Sequence, residues 1–297
     1  MGLCGLAMVW HGVEEQLDLS HIASAGVTIL AALVFVALLA AYACKWVKAP
    51  DQVRAELRHP VRVNFVPAVS INLILLGILT GAWLPQLGQI LWMCGAALHL
   101  LLTVVIVNVW FNSERPVGSL NPAWFIPAVG NVLIPVAAAP GGYPMIGWFF
   151  LSVGIFFWVV LITLVFYRLI TKPALEPPMR PTLVVMLAPP AVAFLAWLAL
   201  GGGLDPFGQG LYFVALFTFL LLLGQVPRLL RLPYFPSWWA YTFPLAAFTS
   251  ASFRFNGLSS IDISWFSWAL AALTSVVILT VAVRTVTALV RGEMAHH

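Results

Sequence analysis

Nine apolar segments, each long enough to cross a lipid bilayer, divide this 297-residue sequence and leave only short polar loops between them. A helix needs about 20 mostly apolar residues to span the hydrocarbon core of a bilayer. Because lipid offers the backbone no water to bond, segments of this length are expected to be helical. The segments are residues 22–46, 63–82, 86–111, 122–139, 145–167, 181–200, 208–230, 236–253 and 264–289.

The overall composition supports a membrane location for the whole chain. Hydrophobic residues make up 62% of the sequence and charged residues 8%, with a mean hydropathy of +1.00. Soluble domains carry about 25% charged residues. The sequence therefore predicts an all-α polytopic membrane protein, with residues 1–297 as a single transmembrane domain. The net charge of +4 is expected to set topology, so no nucleic-acid partner is predicted.

Residues 1–10 form an apolar stub that precedes these segments and is too short to span a bilayer. We interpret it as the second half of a helix whose first half is absent, so the first helix is expected to be truncated. Counting the stub gives ten spans with both termini on one side. Of the 14 Lys and Arg residues, all except Arg254 fall on that side, and the positive-inside rule makes it cytoplasmic.

Prolines recur inside alternate apolar segments at intervals of roughly 60 residues, and they are Pro67, Pro127, Pro189 and Pro244. A proline inside a helix removes a backbone hydrogen bond, and neighbouring helices must satisfy the freed carbonyl. Kinked helices are therefore expected inside the bundle and unkinked helices outside. This two-helix repeat predicts a ring of kinked helices around a central pore.

The kinked segments supply mild polar groups to the predicted pore, among them Asn72 and Asn131, and no fixed charge. The only titratable side chain deep in a segment is His99, on an unkinked helix. Two roles are consistent with this position. His99 acts as a proton relay, or it is a neutral histidine that forms hydrogen bonds between helices.

Basic residues near the predicted cytoplasmic mouth would favour anions by long-range attraction. Cation channels usually carry a ring of Asp or Glu side chains, and the predicted pore has no carboxylate to form one. These basic residues are Arg58, Arg62 and Arg180. Phe243 stands beside the kink at Pro244, where a bulky ring can occlude a narrow pore. Core packing between helices is the alternative for this ring, and Phe248 is a second candidate for the gate.

No motif in the sequence predicts an enzyme. There is no P-loop, no H-E-x-x-H and no glycine-rich dinucleotide fingerprint. A membrane lipid transferase would be expected to carry paired acids that hold a metal–diphosphate, and no such pair is present. The three cysteines lie far apart, without the spacing of a metal site. We therefore expect no enzymatic activity, no cofactor and no metal site.

Four ordered motifs at the proline segments carry a family resemblance. They are residues 59–65 (HPVRVNF), 121–131 (NPAWFIPAVGN), 180–183 (RPTL) with 188–190 (APP), and 238–245 (WWAYTFPL). They resemble the tellurite-resistance/dicarboxylate transporter family, which includes bacterial tellurite-resistance proteins and plant guard-cell slow anion channels. The resemblance extends over almost the whole chain.

The resemblance implies ten helices arranged as five helical hairpins with quasi-fivefold symmetry, whose inner helices line a central pore. It also implies a homotrimer in which each protomer has its own pore, and a phenylalanine that plugs the pore at mid-membrane. The matching position in this sequence is Phe243. A multi-pass location in a bacterial inner membrane follows from the same resemblance.

Two functions are consistent with these observations. The first is an anion channel or uniporter that passes small inorganic or organic anions through a charge-neutral pore gated by a phenylalanine. The second is a secondary transporter, coupled to protons, for a C4-dicarboxylate, sulfite or a tellurite-related anion. His99 is the only candidate for the coupling residue in the second reading.

Overall fold

A computed structural model describes residues 1–292, and every regular element in that range is helical. The α-helices are α1 (Gly2–Gln16), α2 (Ile22–Lys48), α3 (Pro50–Arg58), α4 (Ala68–Gly81), α5 (Pro85–Phe111), α6 (Phe125–Val129), α7 (Ile134–Ala138), α8 (Pro144–Thr171), α9 (Ala188–Ala199), α10 (Pro206–Leu223), α11 (Val226–Leu229), α12 (Thr242–Leu258) and α13 (Ser264–Val290). The all-α prediction is confirmed for these residues.

Seven helical stretches within residues 1–292 are long and apolar enough to cross a membrane. They are Ile22–Lys48, Arg62–Gly81, Pro85–Phe111, Pro144–Thr171, Pro177–Ala199, Pro206–Leu223 and Ser264–Val290. The chain is therefore a multi-span membrane protein. Helix α1, the stretch Pro122–Ala138 and helix α12 are shorter, so the count of ten spans stays a prediction.

The proline-containing segments are divided between two kinds of helix. Each begins as a tight 3₁₀-helix and continues as an α-helix, and the 3₁₀ parts are Arg62–Phe65, Pro122–Trp124, Pro177–Leu187 and Pro236–Tyr241. We use the name broken segments for Arg62–Gly81, Pro122–Ala138, Pro177–Ala199 and Pro236–Leu258. Helix α1 is continuous, but we include it under this name because it occupies the same position in the two-helix repeat. The long helices α2, α5, α8, α10 and α13 are the straight helices.

The prolines lie close to the start of an α-helix, which corrects the sequence expectation of a kink within a continuous one. Pro67 directly precedes α4, Pro189 lies at the start of α9, and Pro244 falls in the first turn of α12. Pro127 lies inside the short helix α6. The amide groups of a first helical turn have no intrahelical partner, so a residue without an N–H is tolerated there.

The broken segments are more deeply buried than the straight helices. We compare the share of buried residues in the most apolar stretch of each helix. That share is 67% in Pro177–Ala199 and 50% in Arg62–Gly81, but only 17% in α2 and 28% in α8. An element that breaks its own hydrogen-bond ladder needs protein partners, whereas an intact α-helix can face lipid. The burial pattern follows that requirement.

Each broken segment packs against the straight helix that follows it in the chain, and the broken segments also contact one another in turn. Helix α1 contacts α4, α4 contacts α7, α7 contacts α9, and α9 contacts α12. Helix α12 then contacts α1, which closes the series into a ring.

Close backbone contact between α4 and α5 depends on glycine. A Cβ atom added to Gly88 would lie 2.5 Å from the Cα of Gly81, and one added to Gly77 would lie 2.6 Å from the amide nitrogen of Trp92. Membrane helices approach this closely only where small residues face each other. The contact holds α4 against its straight partner.

Replacement of Gly88 by alanine is expected to lower the melting temperature of the purified protein, because the added methyl group meets backbone that cannot move aside. The expected loss in unfolding free energy is about 1–3 kcal/mol. Gly26→Ala is the matched control, because Gly26 lies on exposed α2 with open space around its Cα. That variant should keep or raise the melting temperature, since alanine favours helix by about 1 kcal/mol. Equal melting temperatures for the two variants would contradict the close contact.

Candidate functional site

The broken segments enclose a cavity of about 400 Å³, which we name the Phe243 cavity. Every broken segment contributes to its wall, through Cys4, Asn72, Val129, Pro189 and Phe243 among others. The straight helix α2 completes the wall with residues that include Val34 and Phe35. The wall of this cavity therefore includes one straight helix besides the proline-containing segments that the sequence predicts to line the pore.

A second cavity, of about 600 Å³, lies further along the same broken segments, and we name it the Arg254 cavity. Its lining includes His11, Leu79, Val136, Leu198 and Arg254, so all of the broken segments again contribute. The polar residues Ser24 and Thr28 of α2 also reach it.

No described residue lines both cavities, and an apolar layer separates the two sets of lining residues. The layer consists of residues 5–7, 74–77, 134–135, 193–194 and 246–249. All of them are buried, and Thr249 is the only polar residue among them. The lining residues of the two cavities are therefore separated along these helices by a buried, mainly apolar layer, which we call the barrier layer.

Phe243 lies at the boundary between the Phe243 cavity and the barrier layer. Phe243 and Pro244 are the last residues of α12 that line this cavity, and position 246 already belongs to the layer. A Cβ atom added to Gly5 of α1 would lie 3.7 Å from the Cδ2 atom of Phe243, so the ring lies against the α1 backbone.

Phe248, the second candidate for a gate, lines neither cavity. Its side chain is 0% exposed and stacks against Tyr212, with ring centroids 6.0 Å apart, and against Phe219, at 5.1 Å. Five residues of α-helix separate it from Phe243, a rotation of about 140° around the helix axis. The two rings therefore point to different sides of α12.

The other predicted pore residues divide into two groups. Pro189, Pro244 and Asn72 line the Phe243 cavity. The Nδ2 of Asn72 donates to the carbonyl of Ala68 at 2.7 Å. Pro67, Pro127 and Asn131 line neither cavity, because each is buried against neighbouring helices.

Helix α5 supplies the polar partners of the segments around Pro67 and Pro127. The hydroxyl of Ser70 donates to the carbonyl of Pro67 at 2.8 Å and lies 2.8 Å from Nδ1 of His99. If the single Ser70 proton is directed at that carbonyl, the tautomer of His99 that satisfies the contact carries its proton on Nδ1. Nε2 of His99 has no hydrogen-bond partner among the described residues, and it faces the backbone of Gly130.

Thr103, one turn further along α5, joins the same network. Its Oγ1 lies 2.6 Å from the carbonyl oxygen of Pro127 and 2.8 Å from that of His99, so one proton serves two acceptors. The Nδ2 of Asn131 donates to the same Oγ1 at 3.1 Å and to the Ala128 carbonyl at 2.7 Å. Asn131 is therefore a hydrogen-bond partner of α5 and lines neither cavity, although the sequence predicts it in the pore lining.

The predicted basic mouth is not assembled around either cavity. Arg58, Arg62 and Arg180 line neither of them. Arg62 lies 3.6 Å from the carboxylate of Glu56, and the Nε of Arg180 donates to the carbonyl of Leu175 at 2.9 Å. Arg58 ends α3 as an exposed side chain. Local partners outside the cavity walls hold Arg62 and Arg180.

Sequence reasoning missed the charged side chains of the Arg254 cavity. No Asp, Glu, Lys, Arg or His side chain lines the Phe243 cavity, but Arg254, Glu15 and His11 line the other one. The prediction of a path without fixed charge therefore fails for the Arg254 cavity. The sequence does contain a signal for Arg254. It is eleven residues from Phe243, which is about three helical turns, so both side chains lie on one face of α12.

The described residues contain no group of three or more His, Cys, Asp or Glu that could hold a metal ion. The chemistry of both cavities is thus set by side-chain hydroxyls, amides and rings, and in one of them by a guanidinium and a carboxylate.

Replacement of Thr103 by valine is expected to destabilise the protein by about 1 kcal/mol, because it leaves the Pro127 carbonyl and Asn131 without their shared partner. Thr163→Val is the control, since Thr163 is exposed and its hydroxyl bonds only the carbonyl of Val159, one turn earlier in the same helix. The check is the melting temperature of each purified variant. A loss no larger for Thr103 than for Thr163 would show that the network does not support the broken segments.

A protein-family model described as a voltage-dependent anion channel matches residues 1–286 of this chain. Among curated proteins, the S-type anion channel SLAH2 of Arabidopsis thaliana is 27% identical over 95% of this chain and 57% of its own length. An uncharacterized transporter of Methanocaldococcus jannaschii is 30% identical over 77% of this chain and 75% of its own length.

The tellurite resistance protein TehA homolog of Haemophilus influenzae is 26% identical over 95% of this chain and 87% of its own length. The alignment with SLAH2 leaves over two fifths of that plant protein without a counterpart in this chain.

Proposed function

The chain belongs to the voltage-dependent anion channel family, and we propose that it passes small anions across the membrane along the axis of its five broken segments. Membership confirms the family resemblance carried by the four proline motifs. One observation supports the proposal above the others. The same five segments line two cavities end to end, and an apolar barrier layer lies between them.

The proposed architecture is ten membrane spans arranged as five hairpins around this axis. Each broken segment packs against its straight successor, and the contacts from α1 to α12 and back to α1 support a closed ring. In this arrangement, the two cavities are the vestibules of one pathway. Most loop Lys and Arg residues lie at the end near the Phe243 cavity, so we assign that end and both termini to the cytoplasm.

Phe243 is the proposed gate. It lies where the Phe243 cavity meets the barrier layer and is 9% exposed, with its ring against the α1 backbone and no stacked aromatic ring among the described residues. By contrast, Phe248 is held by stacked rings. A phenyl ring at an apolar constriction blocks ions both by its volume and by excluding water. Its displacement would open a route from one cavity to the other.

The cargo is proposed to be a small inorganic or organic anion. The Phe243 cavity presents amide, hydroxyl and backbone groups without a carboxylate, so it lacks the ring of acids that cation pathways use. A cavity without charged side chains selects by size and by the cost of dehydration, which extends the proposal to several anions. The bilayer, most simply a bacterial inner membrane, is the remaining partner.

Three copies of the chain are proposed to form a homotrimer in which each protomer keeps its own pathway. The straight helices carry exposed large apolar residues, among them Phe156, Phe217 and Val283. Such surfaces suit both lipid and a neighbouring protomer. Native mass spectrometry would test this directly, with a trimer of 32.4 kDa subunits expected.

Phe243→Ala is expected to raise anion current through the protein several-fold, because removal of the ring opens the junction between the two cavities. Chloride and nitrate currents in planar bilayers measure the effect, and the increase should not depend on a proton gradient. Phe248→Ala serves as the control, since its ring lies in a packed cluster away from the cavities. An unchanged current in Phe243→Ala would contradict the gate.

A proton-coupled carrier is the alternative function, and the relative from Methanocaldococcus jannaschii is named as a transporter. His99, the coupling residue that the sequence suggested, lines neither cavity and is 0% exposed. A residue that couples protons to transport must reach the substrate path or a proton path. The position of His99 therefore favours the passive reading.

His99→Asn is expected to leave anion flux and its pH dependence unchanged, because the amide can still donate to Ser70 and no proton crosses with the anion. The measurement is flux into proteoliposomes with and without a pH gradient. Flux that is driven by the gradient in the wild type and lost in His99→Asn would show the carrier instead.

A further inference from the structure

We propose that the Arg254 cavity contains a binding site for a small monovalent oxyanion, formed by the guanidinium of Arg254 and the hydroxyl of Ser250. The inference deepens the proposed function and depends on it for its role in transport. It assigns a docking site on the far side of the barrier layer from Phe243.

The two donors share one face of α12. Ser250 and Arg254 are four residues apart, which places them as neighbours about 6 Å apart along the helix. Both line the Arg254 cavity, as does Gly257, whose Cα has open space where a Cβ would stand. The face therefore presents a hydroxyl, a guanidinium and then free volume, in order from the barrier layer outwards.

Neither donor has a partner among the described residues. The Oγ of Ser250 is buried without any hydrogen bond, whereas nearby Ser252 and Thr249 donate to the carbonyls of Phe248 and Leu245. Arg254 is exposed, lines the cavity with its side chain and makes no ion pair or hydrogen bond with a described residue. A buried hydroxyl without a partner is uncommon and calls for a specific explanation. A bound ligand that accepts hydrogen bonds would satisfy both groups.

The chemistry of the donors identifies the ligand class. A guanidinium offers a planar fork of N–H groups that matches two oxygens of one anion, and a serine hydroxyl adds a third donor. Glu15 and His11 of α1 line the same cavity. The carboxylate of Glu15 opposes a second negative charge, so the combination favours a monoanion such as nitrate over a dianion.

The first experiment measures binding on the purified full chain, with nitrate as the probe. Nitrate replaces gluconate at constant ionic strength, and the wild-type melting temperature is expected to rise by a few degrees because a ligand that binds only the folded state stabilises it. Arg254→Gln should lose the rise. Arg228→Gln removes the same charge from an exposed position that lines neither cavity, and it should keep the rise.

The second experiment measures nitrate flux in proteoliposomes at low and high salt. Arg254→Gln is expected to lower flux several-fold at low salt, and Glu15→Gln to raise it. Both effects should disappear near 1 M salt, because the screening length falls from about 10 Å at 0.1 M to about 3 Å. Arg254→Lys should restore flux at low salt while binding nitrate less tightly than the wild type, since it keeps the charge and loses the fork.

Failure of this site and failure of the proposed function give different results. If the wild type carries nitrate but Arg254→Gln matches Arg228→Gln in both experiments, the site is wrong and the transport function stands. If the wild type carries no anion but Arg254→Gln alone loses the thermal shift, the site stands and the transport function is wrong. Equal shifts in all variants would overturn the site.

Discussion

The hydrogen bonds from α5 to the broken segments support the rest of the arrangement. Prolines leave parts of these segments as 3₁₀-helix, and a bilayer supplies no water to satisfy the carbonyls that a broken ladder exposes. Ser70, which His99 contacts, meets this need at the carbonyl of Pro67, and Thr103 meets it at the carbonyl of Pro127. Because an outer helix carries two of these groups, the position of the inner wall depends on the outer helix. Thr249 and Thr274, 2.8 Å apart, make a similar link between α12 and α13.

The two cavities give the molecule chemically different ends. One is bounded by apolar and amide groups and ends at Phe243, and the other contains a guanidinium and a carboxylate. In the proposed pathway, an anion that enters from either end would meet the same barrier layer under different electrostatic conditions. The proposed oxyanion site places attraction on one side of that layer and the phenyl ring on the other, so binding and gating would be performed by different turns of α12.

Much of the fold could be predicted from the sequence, because a segment that crosses lipid must be apolar, about 20 residues long and helical. Apolar length located the helices, as the start of α2 at Ile22 and the end of α5 at Phe111 show. The prediction was weaker where the role of a residue depends on which face of the helix carries its side chain. Phe248 and Asn131 are apolar-segment residues of suitable type, but helical rotation or a hydrogen bond to α5 turns them away from the cavities. Composition alone carries no such direction.

The short barrier layer has an electrical consequence. If the cavities on either side contain conducting solution, the membrane potential does not decline evenly over the bilayer but falls mostly across the layer itself. A monovalent anion that crosses it then moves through nearly the whole voltage, which is worth about 2.3 kcal/mol per 100 mV. The applied field would therefore act most strongly on the few ångströms beside Phe243, while the Arg254 cavity would lie at nearly the potential of the solution it faces.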